Sequence, residues 1–335
     1  MKSKSGISSR DVARLAGVSQ ATVSYILNNV KSVKIKSETR EAVLEAVKKL
    51  NYHPNEIARG MKLNKSMSIG VVTDRSVTNF YFMKTLEGIR DGILQNNYSI
   101  TLLFNKIDEI SQAEFIRYYN SNRLDGIVFA FSSIDDNAIK YMNESGIPFV
   151  TIDVIPLGRS NHEIYTDYLE HIEGVVEYYK AKGIRRIGYA GPESGTGADM
   201  RLETFKASMK RLGMDFDESL VALSVFDDNK ISAALVQLFD SRNCPEAIIA
   251  GSPRFGLLAV KNASRLGIRV PEELHIIALG SSNYYSVVHP ELSAVEVPLY
   301  DMGFNAARML IDIMSGVNIE KSVVLPSEFI HRNSS

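Results

Sequence analysis

"SRDVARLAGVSQATVSYILNN" occupies Ser9–Asn29. Ser9 can cap a helix whose apolar positions Val12, Ala13, Leu15 and Ala16 form one face. Gly17 can take the positive φ that ends such a helix, with Val18 plugging the turn. Ser19 caps a second helix, in which Ala21 is followed by Val23, Ile26 and Leu27 at helical spacing. Two short helices on a glycine turn form a helix-turn-helix. A third helix is predicted from Ser37, its cap, to Leu50, turning Val43, Leu44, Val47 and Leu50 toward the first two.

Charge singles out the same region. Residues 1–65 carry 13 Lys/Arg against 5 Asp/Glu, and the rest of the chain carries 25 against 34, which leaves a net charge of only −1. A basic module on an acidic body points to a polyanionic partner for the first part alone, although a solvated charged surface would give the same count. In a helix-turn-helix the second helix lies in the major groove of DNA. Its outward residues near the N-terminus are Gln20, Ala21, Ser24 and Tyr25.

The remaining composition narrows the class. The 335 residues suffice for two or three domains. The one cysteine, Cys244, permits neither an intrachain disulfide nor a Cys-based zinc site, and no cofactor is expected. The basic start lacks the apolar run of a signal peptide, and no stretch reaches the roughly 20 apolar residues that span a bilayer. A cytoplasmic protein without a membrane partner is expected.

"RDVARLAGVSQATVSYILNN" followed by "SETREAVLEAVKKLNYHPNEIARGMK" resembles the DNA-binding region of the lactose/galactose repressor (LacI/GalR) family, ungapped apart from the loop Asn29–Lys36. The resemblance implies roles by position. Gln20 and Ala21 fall where the family reads bases; Tyr25 falls where a third base contact, often Arg, is usual. Gln can read adenine bidentately, and an Ala methyl can meet a thymine methyl. Tyr25 removes the guanine contact that Arg would make. Thr22, Ser24, Asn28 and Thr39 match phosphate-contacting or turn positions, which set register. The loop "NVKSVKIK" adds three Lys.

Pro54–Met61 has helical character after a Pro start, yet Gly60 weakens it and it has almost no core to pack on. Such a segment is marginal alone and can fold on binding. The resemblance makes it the hinge helix, two copies of which lie in the minor groove at the operator centre. Met61 stands where the family has a Leu wedge, and Asn55, Ala58 and Arg59 would line the same groove.

From Ser66 on, short β-rich runs alternate with amphipathic helices, twice over, which predicts an α/β body of two parallel-sheet lobes. Ligands on such sheets bind beyond the carboxyl ends of the strands, so two lobes place those ends around one cleft. "SIGVVTD", "DGIVF", "IPFVTID", "KGIRRIGYAG", "LGIRVPEEL" and "HPELSAVEVPLYDMG" stand in the family's order and look like its periplasmic-binding-protein-like core. The expected division is a headpiece 1–52, a hinge and linker 53–66, and a core 67–335. Within the core the N-lobe is about 67–163 and 295–322, and the C-lobe about 164–294 and 323–332.

Asp153, at the strand end "VTID", and Arg201 match family positions that bind effector hydroxyls. A carboxylate facing a guanidinium can grip a polyol or a small acid. Asp74, Asn79 and Phe80, after the first strand of the core, are further cleft candidates. The family's common "ND" reads Ser252–Pro253 here, its "GFDD" reads Ala278–Ser281, and a frequent glutamine is Val297. Ser252 and Ser281 are thus the remaining polar candidates on that wall.

Other chemistry finds little support. "GPESGTG", Gly191–Gly197, has neither the Lys of a P-loop nor G-x-G-x-x-G spacing. The six His lack metal-ligand spacing, and no catalytic constellation can be proposed, so an enzyme is not expected. No heptad-bearing tail follows "LPSEFIHRNSS". A homodimer is expected, because one helix-turn-helix reads half a site. Apolar positions on the helices Phe82–Asn96 and Arg254–Leu266 are candidates for its interface. The expected function is a DNA-binding transcription regulator, a repressor, on a palindromic operator, with a small effector of carbohydrate type in the cleft. The alternatives are control by a protein partner, or a cytoplasmic small-molecule-binding protein of the same fold.

Overall fold

In a computed structural model, the structure describes residues 7–27, 33–52, 65–104, 114–132, 134, 136–153, 160, 162–167, 169–193, 200–240, 244–317, 319 and 322–335. The chain divides into a unit 1–67 and a unit 68–335.

Among the described residues of the first unit there are three helices: α1 (Ser9–Ala16), α2 (Gln20–Leu27) and α3 (Ser37–Lys49). The cap of α1 is Ser8, one residue before the one expected. Its amide and hydroxyl donate to Asp11 Oδ2 at 3.0 and 2.6 Å. These bonds, the hydroxyl's first, hold the Asp11 carboxyl below its usual range. Gly17 sits at φ +66°, and the Val18 amide bonds back to the Ala13 carbonyl at 3.0 Å. Ser19 Oγ accepts the Thr22 amide at 3.1 Å, which caps α2. Val12, Val23, Ile26, Val43 and Ala46 make the core of this unit. Leu15 and Leu44, expected inside, are 47% and 49% exposed. Three short helices enclose a core about one side chain wide, so the residues flanking each inward position stay in water. The cap of α3 is Lys36, so Ser37 is the first helical residue.

The second unit contains twelve strands and eight helices among the described residues. In chain order these are β1 (Ser68–Thr73), α4 (Phe80–Ile93), β2 (Ser99–Phe104), α5 (Glu114–Asn120), β3 (Gly126–Ala130), α6 (Asp136–Glu144), β4 (Phe149–Ile152) and β5 (Glu163–Thr166). Then come α7 (Glu170–Ala181), β6 (Ile187–Pro192), α8 (Met200–Arg211), β7 (Val221–Ser224), α9 (Asp228–Phe239), β8 (Ala247–Ala250), α10 (Pro253–Arg265) and β9 (His275–Leu279). The last are β10 (Ser293–Glu296), α11 (Leu299–Met314), β11 (Val323–Leu325) and β12 (Glu328–Ile330).

One sheet has the order β11-β5-β4-β3-β1-β2 and is parallel throughout. The other has the order β12-β10-β9-β8-β6-β7, parallel except for β12. Each sheet is covered on both faces, as parallel sheets require. On β3, Val128 and Ala130 face α4 and α11, while Ile127 and Phe129 face α5 and α6. In the C-lobe, Ile248 and Ala250 belong to the layer with α9 and α10, and Ala247 and Ile249 to the layer with α7 and α8.

The chain passes between the lobes three times: after β5, after β10 and after β11. Strands β5 and β11 therefore belong to the N-lobe sheet, whereas the sequence boundaries put Ile164–Thr166 and Val323–Leu325 in the C-lobe. Hydrophobic patterning cannot set this boundary, because an apolar strand fits either sheet and hydrogen-bonded pairing decides. Helices α4 and α11 meet at glycines. A Cβ on Gly88 would strike the Tyr300 carbonyl, and one on Gly303 the Thr85 carbonyl, so both must lack a side chain. Much of the α4 surface expected to serve a dimer is thus spent on α11.

Candidate functional site

The candidate reading surface is α2. Gln20 and Ala21 are exposed, Tyr25 is 40% exposed, and Thr22 and Ser24 are half-buried. Val23 and Ile26 point into the core and fix which face is presented. Gln20 Nε2 donates to Ser9 Oγ at 2.7 Å, a partner that the sequence reading did not foresee. Thr39 lies on the first turn of α3 and is half-buried. Asn28, Asn55, Ala58, Arg59 and Met61 lie outside the described residues.

In the second unit, the strand ends converge. Asp153 follows β4 at φ +47°, and Phe131 follows the neighbouring β3 at φ +54°. Left-handed backbone is uncommon for Asp and an outlier for Phe, and such strain collects at functional sites. Asp153 is half-buried, and its side chain has no hydrogen bond or ion pair to a described residue. Burial pushes its carboxyl above the usual range, against the pull of Arg201 and, more weakly, Arg75. Arg201 lies on the first turn of α8 in the C-lobe, and Arg75 in the loop after β1. The charges of Arg201 and Arg75 thus both act on the Asp153 carboxyl, and Arg75 was not a sequence candidate. A signal for Arg75 was present: "TDRS" follows a parallel strand, where cleft loops arise.

The other candidates divide. Asp74 is exposed and accepts the Ser132 hydroxyl at 3.0 Å. Asn79 caps α4, its Oδ1 accepting the Phe82 amide at 3.1 Å. Phe80 packs against the N-lobe core. Ser281 is buried, and its hydroxyl donates to the Val297 carbonyl at 3.0 Å and accepts the Val297 amide at 2.8 Å. It fastens the end of β9 to the segment that follows β10. Ser252 precedes α10, and its Oγ is buried with no hydrogen-bond partner among the described residues. Tyr81, not singled out from the sequence, joins the lobes: its hydroxyl accepts the Ser281 amide at 2.8 Å. Among the described residues no group of three or more His, Cys, Asp or Glu could hold a metal ion. Among them, too, no helix is long and apolar enough to cross a membrane.

A family model for bacterial regulatory proteins of the lacI family matches residues 9–55, and one for a periplasmic binding protein-like domain matches 176–335. Catabolite control protein A of Staphylococcus epidermidis is 30% identical over 329 residues, covering 97% of this chain and 98% of that protein. The chain belongs to the LacI family. This LacI-family protein is a DNA-binding transcription regulator. The catabolite control protein A of Priestia megaterium is 26% identical over 328 residues, 97% of this chain and 98% of that protein. Among solved structures, the Lac repressor bound to ONPG superposes with a TM-score of 0.82 at 20% identity, covering 98% of this chain and 99% of that one. The regulator CelR, solved with cellobiose, gives 0.70 at 24% identity, covering 98% and 100%. These two likenesses concern the fold: a helical DNA-binding region on a two-lobed α/β core.

Proposed function

We propose that this LacI-family regulator is a repressor that binds a palindromic operator as a homodimer, with its affinity set by a small molecule between the lobes. The observation that carries the effector is Asp153. It is a half-buried carboxylate on strained backbone, coupled electrostatically to Arg201 and Arg75, with no hydrogen-bond or ion-pair partner among the described residues. Such a group is costly to keep unless a ligand uses it. A sugar or sugar derivative fits, because hydroxyls can bridge a carboxylate to guanidinium groups by charge-assisted hydrogen bonds. The Ser252 hydroxyl on the opposite wall offers a further polar contact. Cellobiose on CelR and ONPG on the Lac repressor are ligands of relatives with this fold.

In this reading Gln20, Ala21 and Tyr25 contact bases, and Thr22, Ser24, Asn28 and Thr39 contact phosphates or shape the turn. Asn55, Ala58, Arg59 and Met61 enter the minor groove. The effector acts by binding the two lobe arrangements with different affinity, which shifts the DNA-binding equilibrium by that difference. A regulator of chromosomal genes works in the cytoplasm and needs no catalytic group.

The test is operator binding by the full chain, measured against a panel of carbohydrates and their acidic and phosphorylated derivatives. One compound should change the affinity of the wild type, and Arg201→Ala should abolish that response while leaving effector-free binding intact. A response that survives Arg201→Ala would place the effector elsewhere.

A further inference from the structure

A base-reading glutamine faces an ambiguity. Its amide carries two N–H donors and one carbonyl acceptor. One donor with the acceptor matches adenine N7 and N6–H; two donors match guanine N7 and O6. An unrestrained glutamine at the start of a reading helix can present either set, and it must also give up rotamer freedom on docking.

In this chain the amide is not unrestrained. Gln20 is the first residue of α2, and its Nε2 donates to the Ser9 hydroxyl of α1 at 2.7 Å. Ser9 is free for this task because the cap of α1 is built from its neighbour: Ser8 and Asp11 satisfy one another through two bonds. The reading helix has its own cap, since the Ser19 hydroxyl accepts the Thr22 amide at 3.1 Å and pairs with Thr22 Oγ1 at 2.9 Å. The Ser9–Gln20 bond therefore closes neither helix. It bridges the two at the exposed surface, and fixes the one long polar side chain at the start of α2.

We infer that Ser9 is a positioning residue for base recognition, which holds the Gln20 amide with one donor spent so that one N–H and the carbonyl remain for adenine. The inference rests on the reading of Gln20 as a base contact. In water the bond is weak, but on docking the surface is dehydrated and the same bond strengthens. Ser9 thereby sets a preference at a base that it does not touch.

The experiment uses the full chain and a random duplex library, with relative affinities determined by competition for wild type, Gln20→Ala, Ser9→Ala and Ser9→Thr. Gln20→Ala identifies the base pair that Gln20 reads, as the position whose preference flattens. Ser9→Ala should lower the preference for adenine over guanine at that same position by about tenfold, with other positions and the salt dependence unchanged. Ser9→Thr, which keeps the hydroxyl, should restore it. If Gln20→Ala flattens a position and Ser9→Ala leaves it as it was, the inference is overturned and Gln20 remains a base reader. An equal loss at every position would also overturn it, because that is the mark of a damaged fold. If Gln20→Ala flattens nothing, the base-contact reading itself falls and the inference with it.

Discussion

The Tyr81 hydroxyl accepts the backbone N–H of Ser281 at 2.8 Å, joining the first turn of an N-lobe helix to the end of a C-lobe strand. Both sides are arranged for the contact. Phe131, on strained backbone, braces the Tyr81 ring edge-on with centroids 5.9 Å apart. Gly280 sits at φ +94°, and a Cβ there would collide with the Tyr81 hydroxyl. Tyr81→Phe keeps the ring and removes the acceptor, leaving a buried N–H unpaired. The expected cost is about 2 kcal/mol, or roughly 4 °C in Tm, with faster hydrogen exchange at the Ser281 amide. Unchanged exchange there would show that the bond adds nothing to closure. Gly280→Ala should be more harmful, and less so in the Tyr81→Phe background, because the two changes share one collision.

Asp153 and Asp167 end neighbouring strands, and their acidities move in opposite directions. Burial raises Asp153, against Arg201 and Arg75. Above the ordinary Asp pKa near 3.9 the unfolded chain ionises this carboxyl readily and the fold does so reluctantly. A penalty therefore builds as pH rises through the interval between the two values, and it stays in full at neutral pH. Asp153→Asn should raise Tm at pH 7 by about 2 °C, lose the difference in acid, and abolish the effector response. A variant less stable than wild type at pH 7 would mean that the two arginines already hold the carboxylate.

Asp167 works the other way. Burial opposes its ionisation, but the Ser327 hydroxyl and amide, at 2.6 and 2.7 Å, outweigh that and hold its carboxyl below the usual range. Its contribution is present above the unfolded pKa and is lost as pH falls through the folded value. The bonds clasp the passage after β5 to the passage after β11, two of the three interlobe crossings. Asp167→Ala should cost about 2 kcal/mol at pH 7 and progressively less in acid, read by urea unfolding at both pH values. A pH-independent loss would assign the cost to packing instead.

The architecture was legible because its signals are local and repeated. Gly17 and Ser19 mark their turn by backbone needs that few residues meet, and the βα alternation names a two-lobed parallel body. Long-range pairing was not legible. Strands β5 and β11 carry apolar residues that suit either sheet, and their neighbours alone settle the lobe. Asp153 and Arg201 are candidates by resemblance, whereas Arg75 and Tyr81 meet partners that no spacing reveals. Asn79 and Ser281 were chosen as polar residues near strand ends, and the structure commits Asn79 Oδ1 to a helix cap and the Ser281 hydroxyl to a strand crossing. Side-chain chemistry says what a residue can do; the nearest unpaired backbone group often decides what it does.

Tyr25 is the reading-helix residue that departs from the common Arg, and it offers the clearest test of individuality in DNA recognition. It stands one turn along α2 from Gln20 and Ala21, 40% exposed, on the face that Val23 and Ile26 turn outward. A phenol brings one hydroxyl and a broad apolar ring, so it can meet a thymine methyl or a single acceptor but cannot pair bidentately with guanine. Tyr25→Arg supplies that pairing. In a competition experiment on random duplexes, Tyr25→Arg should gain about tenfold in preference for guanine at one position per half-site, with Gln20-dependent preferences retained. Its added charge should also steepen the salt dependence by about one phosphate equivalent if the guanidinium reaches the backbone instead, and then no base preference should appear. Tyr25→Phe separates the remaining contributions: a loss confined to one base pair assigns the hydroxyl to a base, and an unchanged profile assigns the ring to apolar contact. Binding by Tyr25→Ala indistinguishable from wild type would remove Tyr25 from the interface.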